Sequence, residues 1–348
     1  MKKENTAEQQ RFHLLLVIIL CCTALTSTAQ EKDTLRNQGL DSAYVEDYTE
    51  WLTTRLYALY QDAEFTISTN EIGNISFKPN TNIKIGIAGF YKWFGLGLSI
   101  TNPFFTFNES TYGKTKAIDL RINAFGRAVA AEAFIQNFHG FYIRNIHPAY
   151  SKYYILPNMN LFSIGAYGYW IYNSRKFSLR AAFLQNERQV KSAGSFMIRP
   201  GFSFYEVTSD TGIVPGELSI KYKMHKDELI KGGRFYSVSL APGYSYTFVF
   251  VKHAYFNAAA FPGVSWISYS YEGRHDNYSR SDFVFELSLR VALGFNTTKW
   301  YIGGALITGI NDLNSPWSNS SFFYDVSQFR VWGGMRFDVF RKHKKNNS

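Results

Sequence analysis

From about residue 60 to the end of the chain, apolar side chains recur at every second position, and the spacing of an amphipathic helix is hard to find. Between 283 and 295, Phe283, Phe285, Leu287, Leu289, Val291, Leu293 and Phe295 alternate with Val284, Glu286, Ser288, Arg290, Ala292 and Gly294. One face is greasy and the other polar or small, which is the period of a β-strand. Residues 116–125 repeat the pattern, with Ile118, Leu120, Ile122 and Ala124 opposite Asp119, Arg121 and Asn123. In 329–339, Phe329, Val331, Met335 and Val339 oppose Arg330, Arg336 and Asp338.

Thirteen strand-like runs are marked, at about 52–68, 80–91, 93–102, 114–126, 129–139, 159–173, 176–187, 194–207, 234–251, 254–271, 281–297, 299–311 and 322–340. Many exceed the usual five or six residues of a soluble strand, whereas a tilted membrane-spanning strand needs about 9–11. Tyr91-Lys92-Trp93-Phe94, Tyr172 to Phe177, Val251 to Phe256 and Asn296 to Tyr301 read as short polar turns beside aromatic rings. Such rings mark an interfacial girdle, here predicted to include Tyr91, Trp93, Tyr172, Tyr255, Trp300 and Tyr301. The longer polar segments 103–113, 140–158, 272–280 and 312–321 fit extracellular loops. The predicted fold is therefore all-β: a transmembrane antiparallel up-and-down β-barrel of about 12 to 14 strands, with short periplasmic turns and longer extracellular loops. Glu217 to Lys223 could supply a further short strand. The barrel is expected over 51–340, after a lead-in at 30–50 that hints at a turn of helix or an early strand, and before a basic tail at 341–348.

Composition adds a location. Lys2, Lys3 and Arg11 precede the apolar run Leu14 to Leu20, and Ser27-Thr28-Ala29 supplies the small residues a signal peptidase reads. Residues 1–29 are expected to be cleaved, which removes both Cys21 and Cys22. The mature chain then has no disulfide, thiolate metal site or cysteine nucleophile. Hydrophobic content of 46% and charged content of 18% exclude a disordered chain. A mean hydropathy of −0.19 argues against a bundle of transmembrane helices. The formal charge of +10 falls to +9 with residues 1–29 removed, since they hold three basic and two acidic side chains. Basic and aromatic residues together can bind nucleic acid, but export argues against that partner, and Arg341-Lys342-His343-Lys344-Lys345 suits anionic lipid or periplasmic solvent better.

On the polar strand faces stand Lys84, Asp119, Arg121, Glu132, Arg180, Glu286, Arg290, Arg336 and Asp338, expected to point into the lumen. There they would form a mutually satisfied filling or a pore lining, since a charge on the lipid face at mid-depth costs about 2–4 kcal/mol. Catalysis is a weaker reading. Of the mature histidines His139, His147, His225, His253, His275 and His343, only His275 has Asp276 and Ser279 beside it, in a polar loop. Gly243-Tyr244-Ser245-Tyr246-Thr247 begins like a nucleophile elbow but lacks the second glycine. With no zinc-protease helix motif, phosphate-cradling loop or calcium-loop spacing, no cofactor or metal site is expected.

Several segments carry a family resemblance: Asp41 to Tyr48, Lys78-Pro79-Asn80-Thr81 before the Tyr91-Lys92-Trp93 hairpin, Gly113-Lys114-Thr115-Lys116, Arg188 to Phe196, and Pro242 to Phe248. With these the chain resembles a Bacteroidetes outer-membrane barrel family catalogued as domain of unknown function 4421. The resemblance implies a cell outer-membrane location and no particular chemistry. The expected partners are outer-membrane lipid, the barrel-assembly machinery and a small solute or surface ligand. A terminal aromatic usually ends an assembly signal, whereas here Phe340 is followed by Arg341 to Ser348. The functional readings are a channel or a closed structural or surface-binding barrel, then a membrane-embedded hydrolase of lipid, peptide or glycan, and last a soluble exported carbohydrate-binding β-sandwich.

Overall fold

A computed structural model describes residues 39–69, 73–80, 83–102, 108–143, 153–210, 212–213, 232–272, 277–312 and 320–339. The expected signal peptide, the first part of the lead-in (30–38), the candidate strand Glu217 to Lys223, His147, His225, His275 and the basic tail lie outside the described residues. The strands are β1 (Val45–Asp47), β2 (Leu52–Thr69), β3 (Gly73–Lys78), β4 (Lys84–Tyr91), β5 (Phe94–Thr101), β6 (Lys116–Phe125), β7 (Val129–Ile143), β8 (Tyr154–Ile171), β9 (Glu187–Gln189), β10 (Ala193–Thr208), β11 (Gly232–Val251), β12 (Ala254–Glu272), β13 (Asn277–Asn296), β14 (Trp300–Asp312) and β15 (Ser320–Phe337). Two short helices, α1 (Glu109–Tyr112) and α2 (Leu179–Phe183), are present among the described residues.

Twelve strands close into one antiparallel barrel in the order β2, β4, β5, β6, β7, β8, β10, β11, β12, β13, β14, β15, and β15 returns to β2 from Ser320↔Thr69 to Phe337↔Leu52. Period two decides what faces outward. Phe283 is 78% exposed, Leu56 68% and Ile87 62%, while Arg290 on the opposite face of β13 is 4%. This inversion of the soluble rule, with greasy residues outside and charges inside, is what a lipid-facing wall requires.

The strands differ in reach. β11 and β13 have 20 residues each, about 66 Å at a rise of about 3.3 Å. A strand tilted about 45° needs about 42 Å to cross a 30 Å hydrocarbon core, so these run well beyond it. β4 and β5 have eight residues and β6 ten, and they stop short. Above them β3, a strand the alternation does not reveal, bridges the edges of β2 (Phe65↔Phe77 to Thr69↔Gly73) and β7 (Phe77↔Ile143, Lys78↔Tyr142). At that level β3 replaces three strands, and the ring narrows. The lip is tied by Asn80, whose N–H donates to Thr115 Oγ1 at 2.8 Å and whose Nδ2 donates to Gly113 O at 2.7 Å. Thr115 Oγ1 in turn donates to Gly140 O at 2.6 Å. Gly140 occupies a bulge in β7 at φ +92°, where a Cβ would lie 2.1 Å from Lys114 O, so only glycine fits.

The expected strand at 176–187 is not one, and Tyr172 to Phe177 is not a short turn. The whole connection 172–192 between β8 and β10 folds into the barrel mouth as a turn, α2, β9 and extended chain, and Phe177 through Gln189 are all buried. Phe177, Leu179, Ala181 and Phe183 mimic strand alternation, but a segment enclosed on all sides is apolar for any conformation.

Lipid contact at mid-depth sets a testable cost. Leu289 lies at the centre of the outward run of β13, and Leu289→Arg is expected to destabilise the barrel by about 2–4 kcal/mol, against less than about 1.5 kcal/mol for Leu289→Ile. Equilibrium unfolding by urea in lipid vesicles measures the difference, and equal costs would contradict the assigned face.

Candidate functional site

The lumen is the site, and it has three levels. At the short-turn mouth sits the segment 172–192. Asn173 fixes its entry, with N–H to Ser195 Oγ at 2.9 Å and Nδ2 to Gly194 O at 2.8 Å. Ser178 caps α2 by accepting from Ala181 N–H at 3.0 Å, and its hydroxyl donates to Glu187 Oε2 at 2.6 Å. A five-residue helix leaves its last carbonyls without partners, and here the wall supplies them. Arg55 Nη2 from β2 donates to Phe183 O at 2.8 Å, Tyr255 OH from β12 to Ala182 O at 3.0 Å, and Arg336 Nε from β15 to Gln185 O at 2.8 Å. Glu187, almost wholly buried, accepts from Arg127 at 2.7 Å and pairs with Arg180 at 3.5 Å. Asn296 Nδ2 donates to the Glu187 carbonyl at 3.0 Å.

The lead-in closes this mouth from below. β1 pairs antiparallel with β9, from Val45↔Gln189 to Asp47↔Glu187. Arg188 Nη2 pairs with Glu46 Oε1 at 2.6 Å, and Tyr48 OH donates to the other oxygen of Glu46. Arg188 Nη1 donates to His253 Nδ1 at 2.8 Å, and Arg336 stands 4.4 Å over the Tyr48 ring. Burial alone would raise the Glu46 carboxyl, but the hydrogen bonds from Tyr48 and Arg188 and the Arg188 charge outweigh it and hold the group below its ordinary 4.5.

At mid-depth several of the charges are paired. Lys84 Nζ and Arg121 Nη2 share Asp119 Oδ2 at 3.3 and 3.0 Å, with Gln61, Gln136 and Gln328 completing the network. Arg290 pairs with Glu132 at 3.0 Å, and Tyr169 OH donates to the same carboxylate at 3.1 Å. Arg199 pairs with Glu286 at 3.4 Å, whose other oxygen accepts from Ser265 at 2.7 Å. Between these groups lies a cavity of about 160 Å³. The third level is apolar, with Phe77, Phe138, Phe141, Leu161 and Val207 in one cluster under β3.

Of the predicted residues, Lys84, Asp119, Glu286, Arg290 and Arg336 are thus buried within the barrel, and Arg121 and Glu132 partly so. Arg180 belongs to α2 and not to a wall strand. Asp338 lies beyond the end of β15, exposed. Of the expected girdle, Tyr172 at 74% and Trp300 at 48% are exposed, and Tyr91 and Trp93 are half-buried. Tyr255 and Tyr301 are corrections. Both are buried in the lumen, where Tyr301 OH donates to Thr54 O at 2.9 Å. Neighbours on a strand face opposite ways, so Trp300 and Tyr301 never share a surface. Arg55 and Arg199 are not among the residues the sequence singles out, and Arg330, placed on the polar face of 329–339, is not among the lumen candidates. Each lies at an inward position beside an outward Leu56, Ile198 or Phe329, and that alternation could have marked them. No catalytic constellation forms among the described residues. Ser245 is buried in the β11 wall, accepting from Asn257 Nδ2 at 3.0 Å, and His253 is engaged by Arg188.

Residues 39–333 match the family described as Domain of unknown function (DUF4421). Comparison with curated proteins gives no match. Among solved structures the chain is similar to the translocator domain of the autotransporter NalP from Neisseria meningitidis, at 11% identity over 91% of this chain and 98% of that one, with a TM-score of 0.43. It is also similar to the outer membrane protease OmpT from Escherichia coli, at 9% identity over 83% and 97%, with a TM-score of 0.33. The β domain of the Bordetella autotransporter BrkA gives 9% identity over 82% and 99%, with a TM-score of 0.37.

The Glu46 latch should respond to acid. A carboxyl held below its unfolded value contributes stability that is complete above about pH 4.5 and is lost as pH falls through the folded value. The difference in unfolding free energy between the wild type and Glu46→Gln is therefore expected to be constant above pH 4.5 and to shrink below it. A difference that does not change with pH in denaturant titrations would remove Glu46 from the latch.

Proposed function

The chain belongs to the family described as Domain of unknown function (DUF4421), a description that carries no activity, and from the geometry of its lumen we propose that it works as a closed outer-membrane barrel, structural or surface-binding, and not as an open pore. One observation carries this reading: the segment 172–192 occupies the mouth and is bonded to the wall on several sides, through Arg55, Tyr255, Asn296 and Arg336. A flexible loop that merely narrowed a channel would have no need of buried arginines aimed at its carbonyls. The paired charges at mid-depth and the apolar cluster under β3 fill the lumen further.

In this reading the short-turn mouth faces the periplasm and the longer connections face outward, as in outer-membrane barrels generally. Export rests on residues 1–29, with their basic start, apolar run and Ser27-Thr28-Ala29. Insertion falls to the barrel-assembly machinery, and the surface-binding role to the outward connections.

Single-channel recording in a planar bilayer separates the two forms. The refolded mature chain is expected to show no steady conductance, in contrast to the stepwise currents of an open pore. Steady conductance from the unaltered chain would overturn the closed-barrel reading.

A further inference from the structure

The mid-depth cavity has a charge imbalance that the protein itself does not resolve. It is lined by Arg55, Arg121, Arg199, Arg290 and Arg330, with Glu132 and Glu286 as the only carboxylates among the described residues. Glu132 is taken by Arg290 and Glu286 by Arg199. Arg121 shares Asp119 with Lys84. Arg55 is met by neutral oxygens alone, Phe183 O and Gln185 Oε1. Among the described residues Arg330 has neither an ion pair nor a hydrogen bond, and its guanidinium stands 5.2 Å from the Tyr57 ring centre. Counting Lys84 and Asp119, six cations face three carboxylates.

Hydrogen-bonding capacity is skewed the same way. The Nε–H groups of all five arginines and the Trp332 indole N–H are buried without an acceptor among the described residues. All six are donors on groups that line one cavity. A negatively charged group answers the charge imbalance, and the paired Nη groups of a guanidinium match the paired oxygens of an oxyanion.

Size narrows the class. Arg55, Ala88, Gly97 and Arg121 are successive register partners across β2, β4, β5 and β6, so two of the smallest inward residues lie between two arginines. Ala305 is likewise the partner of Arg330. The resulting space of about 160 Å³ corresponds to about five waters at about 30 Å³ each. That volume accommodates a tetrahedral oxyanion with a little water and is too small for a sugar phosphate or a lipid headgroup. We propose that the lumen holds a binding site for a small free oxyanion of the phosphate or sulfate class, with Arg330 and Arg121 as its principal ligands and Arg55 closing it on the side of α2. The site is independent of whether the barrel conducts.

The test is calorimetric titration of the full folded chain in detergent with inorganic phosphate and with sulfate, against chloride at matched ionic strength. Thermal unfolding is followed in parallel, and heat-modifiable gel mobility verifies folding. Saturable one-to-one binding is expected, together with an unfolding temperature that rises with the logarithm of phosphate or sulfate concentration. Chloride should give neither, and glycerol phosphate, which stands for an esterified headgroup, should not bind. Arg330→Gln is expected to weaken binding at least tenfold while leaving the anion-free unfolding temperature unchanged or higher, because an uncompensated charge is removed. A purely structural arginine would lower that temperature instead. Gly97→Val tests the site without touching charge. A Cβ there meets Ala88 Cβ at 3.4 Å and the Tyr57 hydroxyl at 3.5 Å, which are ordinary contacts, and the larger side chain fills the cavity. Failure of the wild type to bind either oxyanion, undiminished binding by Arg330→Gln or Gly97→Val, or tighter binding of glycerol phosphate would each overturn the proposal.

Discussion

Three carbonyl oxygens near the end of a five-residue helix, those of Ala182, Phe183 and Gln185, lie inside a β-barrel, and each takes a donor from a different wall strand. A buried carbonyl without a partner costs about 1–3 kcal/mol, so the luminal segment stays inside only because Arg55, Tyr255 and Arg336 are there to meet it. The dependence runs both ways. Arg55 would lose its bonds to Phe183 O and Gln185 Oε1, and Tyr255 its bond to Ala182 O, if the segment left, while Arg336 would keep only its bonds to Thr298 O and its neighbours in the 296–298 turn. Wall and segment are therefore specified together, and the closed mouth is a property of the pair.

The same reciprocity shapes the rest of the interior. Asp119 between Lys84 and Arg121, and Glu132 between Arg290 and Tyr169, are buried arrangements whose value lies in fixing geometry. Each couples strands that are not neighbours in the ring: Arg290 on β13 reaches Glu132 on β7, and Arg121 on β6 reaches Gln328 on β15. Cross-lumen bonds of this kind brace the barrel from within, which a wall held only by nearest-neighbour ladders lacks.

The wall was legible in the sequence because every strand separates lipid from a polar interior, and that contrast writes period two into residues such as 283–295 without ambiguity. The contrast fails where a residue has no lipid side. Phe177 to Gln189 are enclosed on every side, so their apolar spacing carries no direction, and α2 is too short to display a helical period. β3 escapes for a related reason, since its role is to cover the edges left by β4 to β6 and that depends on partners far along the chain. Tyr255 and Tyr301 show the limit of reading residue type alone, because a tyrosine suits a membrane interface and a luminal hydrogen bond equally well. Arg55 was hidden by Tyr57 and Leu59, inward apolar residues that blur the two faces of β2. The segments that carried the family resemblance prove to be spatial partners. Asp41 to Tyr48 contains β1 and Arg188 to Phe196 contains two of the three residues it pairs with, Arg188 and Gln189, while Asn80 bonds directly to Gly113 and Thr115.

The luminal segment is anchored at both ends to adjacent strands at the same mouth, with Ile171 and Met197 register partners across β8 and β10. Were its bonds to the wall released together, the segment would swing out on two tethers and remain at the rim. Its effective concentration for the mouth would stay in about the millimolar range or above, so reclosure is a first-order event that needs no partner and is insensitive to how much protein the membrane holds. An occlusion built in this way resets itself, unlike a separate domain that has to diffuse back.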